Sequence, residues 1–184
     1  MDKVVFLDRD GTINVDYGYV HEIDKLEFVP GLLNSLKRIQ DSGYKLIVIT
    51  NQSGIGRKLF SREDYDSFTQ EMVRRLFDNG IIIDKIYTCP HTDEDCCDCR
   101  KPLLGLYIKA IEEFNIDLPN SYAIGDRLRD LSVCNQYPVR GILYSPNNEG
   151  EKDEKKKEIY TSDRIVKLKS WLEIADYICS GRIT

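Results

Sequence analysis

The stretch Lys3-Val4-Val5-Phe6-Leu7 runs straight into Asp8-Arg9-Asp10-Gly11-Thr12, and the reading of that junction decides the fold. The apolar run is too short for a helix and too hydrophobic for an exposed loop, so it reads as a buried strand. Polar groups at the carboxyl end of such a strand lie where open α/β sheets bind ligands. Residues two apart in an extended segment point the same way, so Asp8 and Asp10 start out facing one place. Gly11 lets the backbone turn sharply behind them. Two carboxylates that close repel unless a shared proton or a divalent cation compensates them, and an oxygen-rich site with few protein ligands suits magnesium. The functional reading makes Asp8 a nucleophile and Asp10 a proton donor and acceptor, with magnesium between them and an anionic substrate. The alternative is a solvated turn, since Asp and Gly are turn residues.

Outward from that junction, apolar runs alternate with helical patterns. Asn14 to Phe28 is polar and lacks a period, which predicts an ordered loop over the strand end. Pro30 opens a helix carrying Leu32, Leu33, Leu36 and Ile39, stopped by Gly43. Tyr44 to Ile49 is a second strand. Ser61 with Asp64 marks a helix start, and Phe68, Met72, Leu76 and Phe77 continue it to Gly80. A third strand falls within Ile81 to Thr88. Leu103 to Phe114 reads as a helix with Ile108, Ile111 and Phe114 inward. Ser121 to Ile124 is a strand, Leu128 to Tyr137 a short helix, and Arg140 to Tyr144 a fifth strand. Ser145 to Glu158 is a charged surface loop, Arg164 to Leu168 a last edge strand, and Ser170 to Ile178 a closing helix with Trp171 inward. Strands alternating with helices imply an α/β fold, a Rossmann-like three-layer parallel sheet with right-handed crossovers.

At 184 residues the chain suits one domain, 1–184, with a substantial core. Its net charge of −5 argues against a general nucleic-acid or membrane-surface binder, so any attraction for an anion must come from locally placed bases. No basic region followed by a long apolar stretch opens the chain, and no run approaches a membrane span. The expectation is a cytoplasmic monomer acting on a phosphorylated small molecule, with neither nucleic acid nor membrane as partner.

Three further strand ends carry polar groups. Thr50-Asn51-Gln52-Ser53 offers a hydroxyl and amides for phosphate oxygens, or simply an Asn/Ser turn. Arg100-Lys101-Pro102 places two cations before a helix. Gly125-Asp126-Arg127 with Asp130 offers a carboxylate that completes a magnesium shell and a second that supports it, or a helix cap. Arg9, Arg57 and Arg127 add positive charge near the strand ends, or are solvated, and His21 reads as a surface or loop-packing residue, with substrate contact as the alternative. Four of six cysteines lie between Cys89 and Cys99. Cys89-x-His91 followed by a Cys-x-Cys or Cys-x-x-Cys pair supplies three thiolates and an imidazole, the closed set of a structural zinc site. Spacing alone leaves Cys96 and Cys97 open as partner of Cys99, while Cys134 and Cys179 read as small apolar groups.

Each of these motifs is weak singly, but their order is specific. Asp-x-Asp-Gly-Thr, strand-Thr, Lys and Gly-Asp-x-x-x-Asp, each after a strand, resemble the haloacid dehalogenase (HAD) superfamily of phosphatases over almost the whole chain. The resemblance implies an HAD-like domain with no large cap and an aspartyl-phosphate mechanism. In it Asp8 attacks phosphorus, and Asp10 protonates the leaving oxygen and then activates water. Thr50 and Lys101 steady the phosphoryl group, and Asp8, the Asp10 carbonyl and Asp126 hold magnesium. The Cys-x-Cys-Arg-Lys-Pro pattern of Cys97 to Pro102, with Asp8 to Asp24 and Thr50 to Arg57, is similar to the heptose 1,7-bisphosphate 7-phosphatase and histidinol-phosphate phosphatase family. That similarity selects Cys97, so the implied zinc ligands are Cys89, His91, Cys97 and Cys99. It also implies a sugar bisphosphate, cut at position 7, held by Asp16, Tyr17, Gly18, Tyr19, Thr50, Asn51, Gln52, Ser53, Arg100 and Lys101, with Arg127 beside them. The short gap between His91 and Cys97, and Arg127 itself, lie nearer the histidinol-phosphate branch.

Overall fold

The computed structural model describes residues 1–147 and 163–180. Six strands form one sheet: β1 (Lys3–Leu7), β2 (Tyr44–Asn51), β3 (Lys85–Cys89), β4 (Tyr122–Gly125), β5 (Arg140–Tyr144) and β6 (Ile165–Leu168). They lie in the order β3-β2-β1-β4-β5-β6, with every pair parallel. Strand order reverses at β1, and a crevice at the carboxyl ends is the consequence of such a reversal. The helices are α1 (Leu32–Asp41), the single turn α2 (Ser53–Gly56), α3 (Arg62–Asp78), α4 (Gly105–Glu113) and α5 (Trp171–Cys179). Among the described residues no insertion large enough to form a cap domain separates the strands.

The alternation of β1 divides the core. Val5 and Leu7 face a cluster with Leu36, Phe68, Met72 and Trp171, from α1, α3 and α5. Val4 and Phe6 face the other side, with Leu106, Tyr107 and Ala110 of α4 and Leu131. Both faces of β1 are therefore dry, which is why its sequence is an unbroken apolar run. The one tryptophan is fully buried, and its indole Nε1 donates to the Thr12 carbonyl at 3.1 Å, tying α5 to the turn after β1.

The helical stripes depart from expectation in two places. In α4 the buried residues are Leu106, Tyr107 and Ala110, while Ile108 is exposed and Ile111 and Phe114 are only partly buried. The Tyr107 hydroxyl donates to the Asp130 carbonyl at 2.6 Å, which sets the register of the inward face. In α3 the stripe runs Phe68–Met72–Leu76, and Phe77, about 100° further round, is 66% exposed. The expected helix from Leu128 is a 3-10 segment, Leu128–Asn135. The loop over β1 is ordered by a 3-10 turn at Ile23–Lys25 and bridges from Asn14 to Asp10 and Phe28. The expected charged loop from 145 to 158 falls outside the described residues beyond 147.

Candidate active site

The carboxyl end of β1 opens on a cleft of about 260 Å³. At its floor the Asp8 amide bonds the Ile124 carbonyl at 3.0 Å, fixing the residue against β4. The Lys101 ammonium, buried, donates to Asp8 Oδ1 at 2.7 Å and to the Ile49 carbonyl at 2.7 Å, and pairs with Asp130 Oδ1 at 2.8 Å. Asp8, Asp126 and Asp130 bring one carboxylate oxygen each within 4.8 Å of the others. Gly11, at φ +79°, makes this possible: a Cβ there would stand 2.5 Å from Asp126 Oδ2.

Burial, then the neighbouring Asp130, pushes the Asp8 carboxyl up to about 6 against the opposing pull of Lys101. Burial, then Asp8 and Asp130, pushes Asp126 up to about 7. For Lys101, burial acts downward, but the fields of Asp130 and Asp8 outweigh it and hold the ammonium above its usual range. Lys101 within the cluster and Arg127 at 3.6 Å from Asp126 Oδ2 are two cations for three carboxylates, which leaves negative charge uncompensated, and Asp126 Oδ1 is buried with no hydrogen-bond partner. An oxygen-only donor set of this kind fits magnesium.

Asp10 stands at the edge of the cleft, its carboxylate bonded by Arg9, Asn14 and Gln52. Thr50 is buried, and its Oγ accepts from Gln52 Nε2 at 2.9 Å. Ser53 and Asn51 line the cleft, and Asn51 also bonds the Lys101 backbone. On the facing wall Asp16 accepts from the Gly18 amide at 2.8 Å and pairs with Arg127 at 3.2 Å. Gly18 and Tyr19, both at positive φ, turn this loop into the cleft. Tyr17 is not brought there: its hydroxyl donates to Glu27 at 2.6 Å, on an exposed face. Arg100 lines the cleft while bonding Asp93 at 2.6 Å. Arg9 is buried and bound to Asp10, so it is not a solvated base. His21 packs in the loop, stacked on Phe60 with ring centroids 4.7 Å apart. Gly54 and Arg129 also line the cleft and were not anticipated. Arg129 stands in the first turn of the 3-10 segment Leu128–Asn135.

The loop leaving β3 gathers Cys89, His91, Cys97 and Cys99, whose ligand atoms all lie within 4.8 Å of one another. Cys89 Sγ is 3.7 Å from Cys97 Sγ and 3.1 Å from Cys99 Sγ, and His91 Nδ1 is 3.2 Å from Cys99 Sγ. A tetrahedral zinc with sulfur at about 2.3 Å has edges of about 3.8 Å, so the donor set and its size fit that ion. Without an ion, burial pushes the Cys89 and Cys99 thiols up, while at Cys97 burial is outweighed by hydrogen bonds from Cys99 and the backbone, which draw it down, so the fit to zinc rests on the donor set and its spacing. Cys96 is exposed, at φ +49°, and outside the cluster.

A 3-2-1-4-5-6 parallel sheet with Asp-x-Asp at the end of β1, lysine against the first aspartate and a Gly-Asp pair after β4 defines the class: an HAD-type phosphatase fold and centre. Residues 3–169 match the family model described as polynucleotide kinase 3 phosphatase. A D-glycero-beta-D-manno-heptose-1,7-bisphosphate 7-phosphatase of Haemophilus ducreyi is 48% identical over 75% of this chain and 80% of its own length. The Pasteurella multocida protein of that name is 40% identical over 91% and 95%. The crystal structure of D,D-heptose 1,7-bisphosphate phosphatase from B. bronchiseptica, complexed with magnesium and phosphate, superposes with a TM-score of 0.87 at 30% identity, covering 98% of this chain and 99% of that one. The chain belongs to this family of HAD-superfamily heptose bisphosphate phosphatases.

Proposed function

We propose that this chain hydrolyses the 7-phosphate of D-glycero-D-manno-heptose 1,7-bisphosphate through an aspartyl phosphate on Asp8. The carrying observation is the Asp8–Lys101–Asp130 cluster at the foot of a cleft edged by Arg100, Arg127 and Arg129 in a chain of net charge −5. A bisphosphate needs cations at both ends, and here they stand at both depths of one cleft.

In the first half-reaction an Asp8 oxygen forms a bond to phosphorus, the bond from phosphorus to the sugar oxygen breaks, and Asp10 gives its proton to that oxygen. In the second, Asp10 takes a proton from water, the water oxygen bonds phosphorus, and the bond to Asp8 breaks. Lys101 and the Thr50 hydroxyl hold phosphoryl oxygens through both steps. Asp8, the Asp10 carbonyl, Asp126 and Asp130 are the groups to hold magnesium, which when bound offsets the charge of carboxylates and phosphate. Cys89, His91, Cys97 and Cys99 would hold zinc, which stiffens the loop presenting Arg100 and Lys101. The reading takes residues 1–184 as one catalytic unit, a monomer working in the cytoplasm.

The test is phosphate release from purified protein with magnesium, across heptose 1,7-bisphosphate, histidinol phosphate and a 3′-phosphorylated oligonucleotide. The heptose bisphosphate is expected to give the highest kcat/KM, and Asp8→Asn to abolish release while folding and zinc content persist. Equal or better turnover of either rival sinks the substrate assignment. Activity surviving in Asp8→Asn sinks the nucleophile.

A further inference from the structure

Arg9 separates the two aspartates of the catalytic turn, yet its side chain enters the protein rather than the cleft. It is 1% exposed, with its guanidinium carbon 4.8 Å from the Phe68 ring centroid and 5.6 Å from that of Tyr65. Nε donates to Asp10 Oδ1 at 3.0 Å, and Nη2 donates to Asp10 Oδ2 at 2.9 Å. The same Nη2 donates to the Val20 carbonyl at 2.9 Å, and Nη1 has no hydrogen-bond partner among the described residues. Asn14 Nδ2 adds a bond to Asp10 Oδ1 at 3.0 Å and Gln52 Nε2 one to Oδ2 at 2.8 Å.

Each oxygen of Asp10 therefore accepts two N–H bonds, so the group is held here as a carboxylate, and for the acid step the Gln52 amide, which lines the cleft, must release Oδ2 to leave a site for the proton. Burying a guanidinium is costly, and a fork gripping one carboxylate from behind fixes where its plane points. The Val20 carbonyl lies just beyond Asp16, Gly18 and Tyr19, which form a wall of the cleft. One nitrogen thus bonds both the carboxylate and the foot of the substrate-facing loop.

We propose that Arg9 is a positioning residue for the acid–base step: it aims the Asp10 carboxylate and links that aim to the seating of the 14–28 loop. This rests on the reading of Asp10 as acid and base given above. Arg9 touches neither substrate nor phosphorus and acts only through Asp10.

The test compares kcat/KM for an alkyl phosphate, whose leaving oxygen needs a proton, with p-nitrophenyl phosphate, whose leaving group does not. kcat/KM reports the steps through departure of the leaving group, so a misaimed acid shows on the first substrate only. Arg9→Met is expected to lose at least about tenfold more on the alkyl phosphate than on the aryl one, within the range of general acid catalysis. Arg9→Lys, which keeps the charge without the fork, is expected to show the same selective loss and serves if the methionine variant does not fold. Asp10→Asn is run beside them. Selective loss in Asp10→Asn but equal or no loss in the Arg9 variants overturns the role of Arg9 alone. Absence of selective loss in Asp10→Asn overturns the acid–base reading, and the proposal with it. Adding Arg9→Lys to Asp10→Asn is expected to change the ratio no further; an additional selective loss there shows that Arg9 acts otherwise than through Asp10.

Discussion

Asn51 and Lys101, fifty residues apart, close a two-bond ring: Asn51 Nδ2 donates to the Lys101 carbonyl at 3.1 Å, and the Lys101 amide donates to Asn51 Oδ1 at 3.0 Å. The end of β2 thereby carries the lysine's backbone, and the Lys101 ammonium reaches back to Ile49 on the same strand. A residue expected to touch substrate thus also clamps the residue that bonds Asp8. Asn51→Ala is expected to lower kcat by about 10- to 100-fold, because a small misplacement of a catalytic group has that effect. Steady-state kinetics beside an unchanged circular dichroism spectrum is the check, and an unaltered kcat would rule the clamp out.

Asp130 is expected to matter for stability as well as turnover. Its partner Lys101 is buried but keeps Asp8 at 2.7 Å, so Asp130→Ala removes one of two ion partners and the bond from the Arg127 amide without orphaning the ammonium. Asp130→Ala should therefore reduce urea stability by about 1–3 kcal/mol, the range for buried hydrogen bonds to a charged group. Arg38→Ala, which breaks the exposed Arg38–Asp176 pair at 2.8 Å, should change it by under about 1 kcal/mol. Equal effects of the two variants would contradict the assigned roles.

Metal content should distinguish the adjacent cysteines. Cys97→Ser is expected to lose bound zinc by mass spectrometry and to lower both Tm and activity, even in excess magnesium. Cys96→Ser is expected to retain zinc, Tm and turnover. Loss of zinc in the Cys96 variant would place the wrong sulfur in the cluster.

Glu71 provides a pH-dependent contribution remote from the cleft. Hydrogen bonds from Arg74 and then Arg75 hold its carboxyl down at about 2, from an ordinary value of 4.5. A group depressed on folding stabilises above its unfolded value and loses that contribution as pH falls through the folded one. The stability difference between wild type and Glu71→Gln is thus expected to be constant above pH 4.5 and to shrink toward pH 2. Thermal melts at several pH values measure it, and a difference that grows on acidification contradicts the assignment.

Gly11 tests how tightly the first turn is packed. Alanine there meets the Asp126 carboxylate and an unfavourable positive φ together. Gly11→Ala is expected to weaken magnesium activation at least tenfold, within what misplaced ligands cause, while Gly18→Ala, whose Cβ meets nothing within 4 Å, affects it far less. Titration of activity with magnesium compares them.

Legibility followed the physics of each element. β1 and the junction Asp8–Gly11 were readable because a strand dry on both faces leaves a continuous apolar run, and carboxylates at its end have few structural uses. The cysteine cluster was readable because thiolates at such spacing suit a metal. Tyr107 was not read as the anchor of α4, because its orientation is set by the Asp130 carbonyl, a partner distant in sequence. The sequence reading of Arg9, a positive charge at the strand end or a solvated side chain, misses its burial, since nothing local reveals that Tyr65 and Phe68 enclose it. Arg129 escaped because an α-helix was expected where a 3-10 segment forms. Tyr17 was grouped with its neighbours by chain proximity, although its hydroxyl finds Glu27 instead.

The bond from the Trp171 indole to the Thr12 carbonyl has an optical consequence. With no second indole in the chain, tryptophan emission, excited selectively over the 11 tyrosines, comes from a single fluorophore hydrogen-bonded to the turn that follows Asp8. Emission wavelength and lifetime then become a label-free readout of that turn, and stopped-flow mixing with phosphate or magnesium can follow its rearrangement in real time.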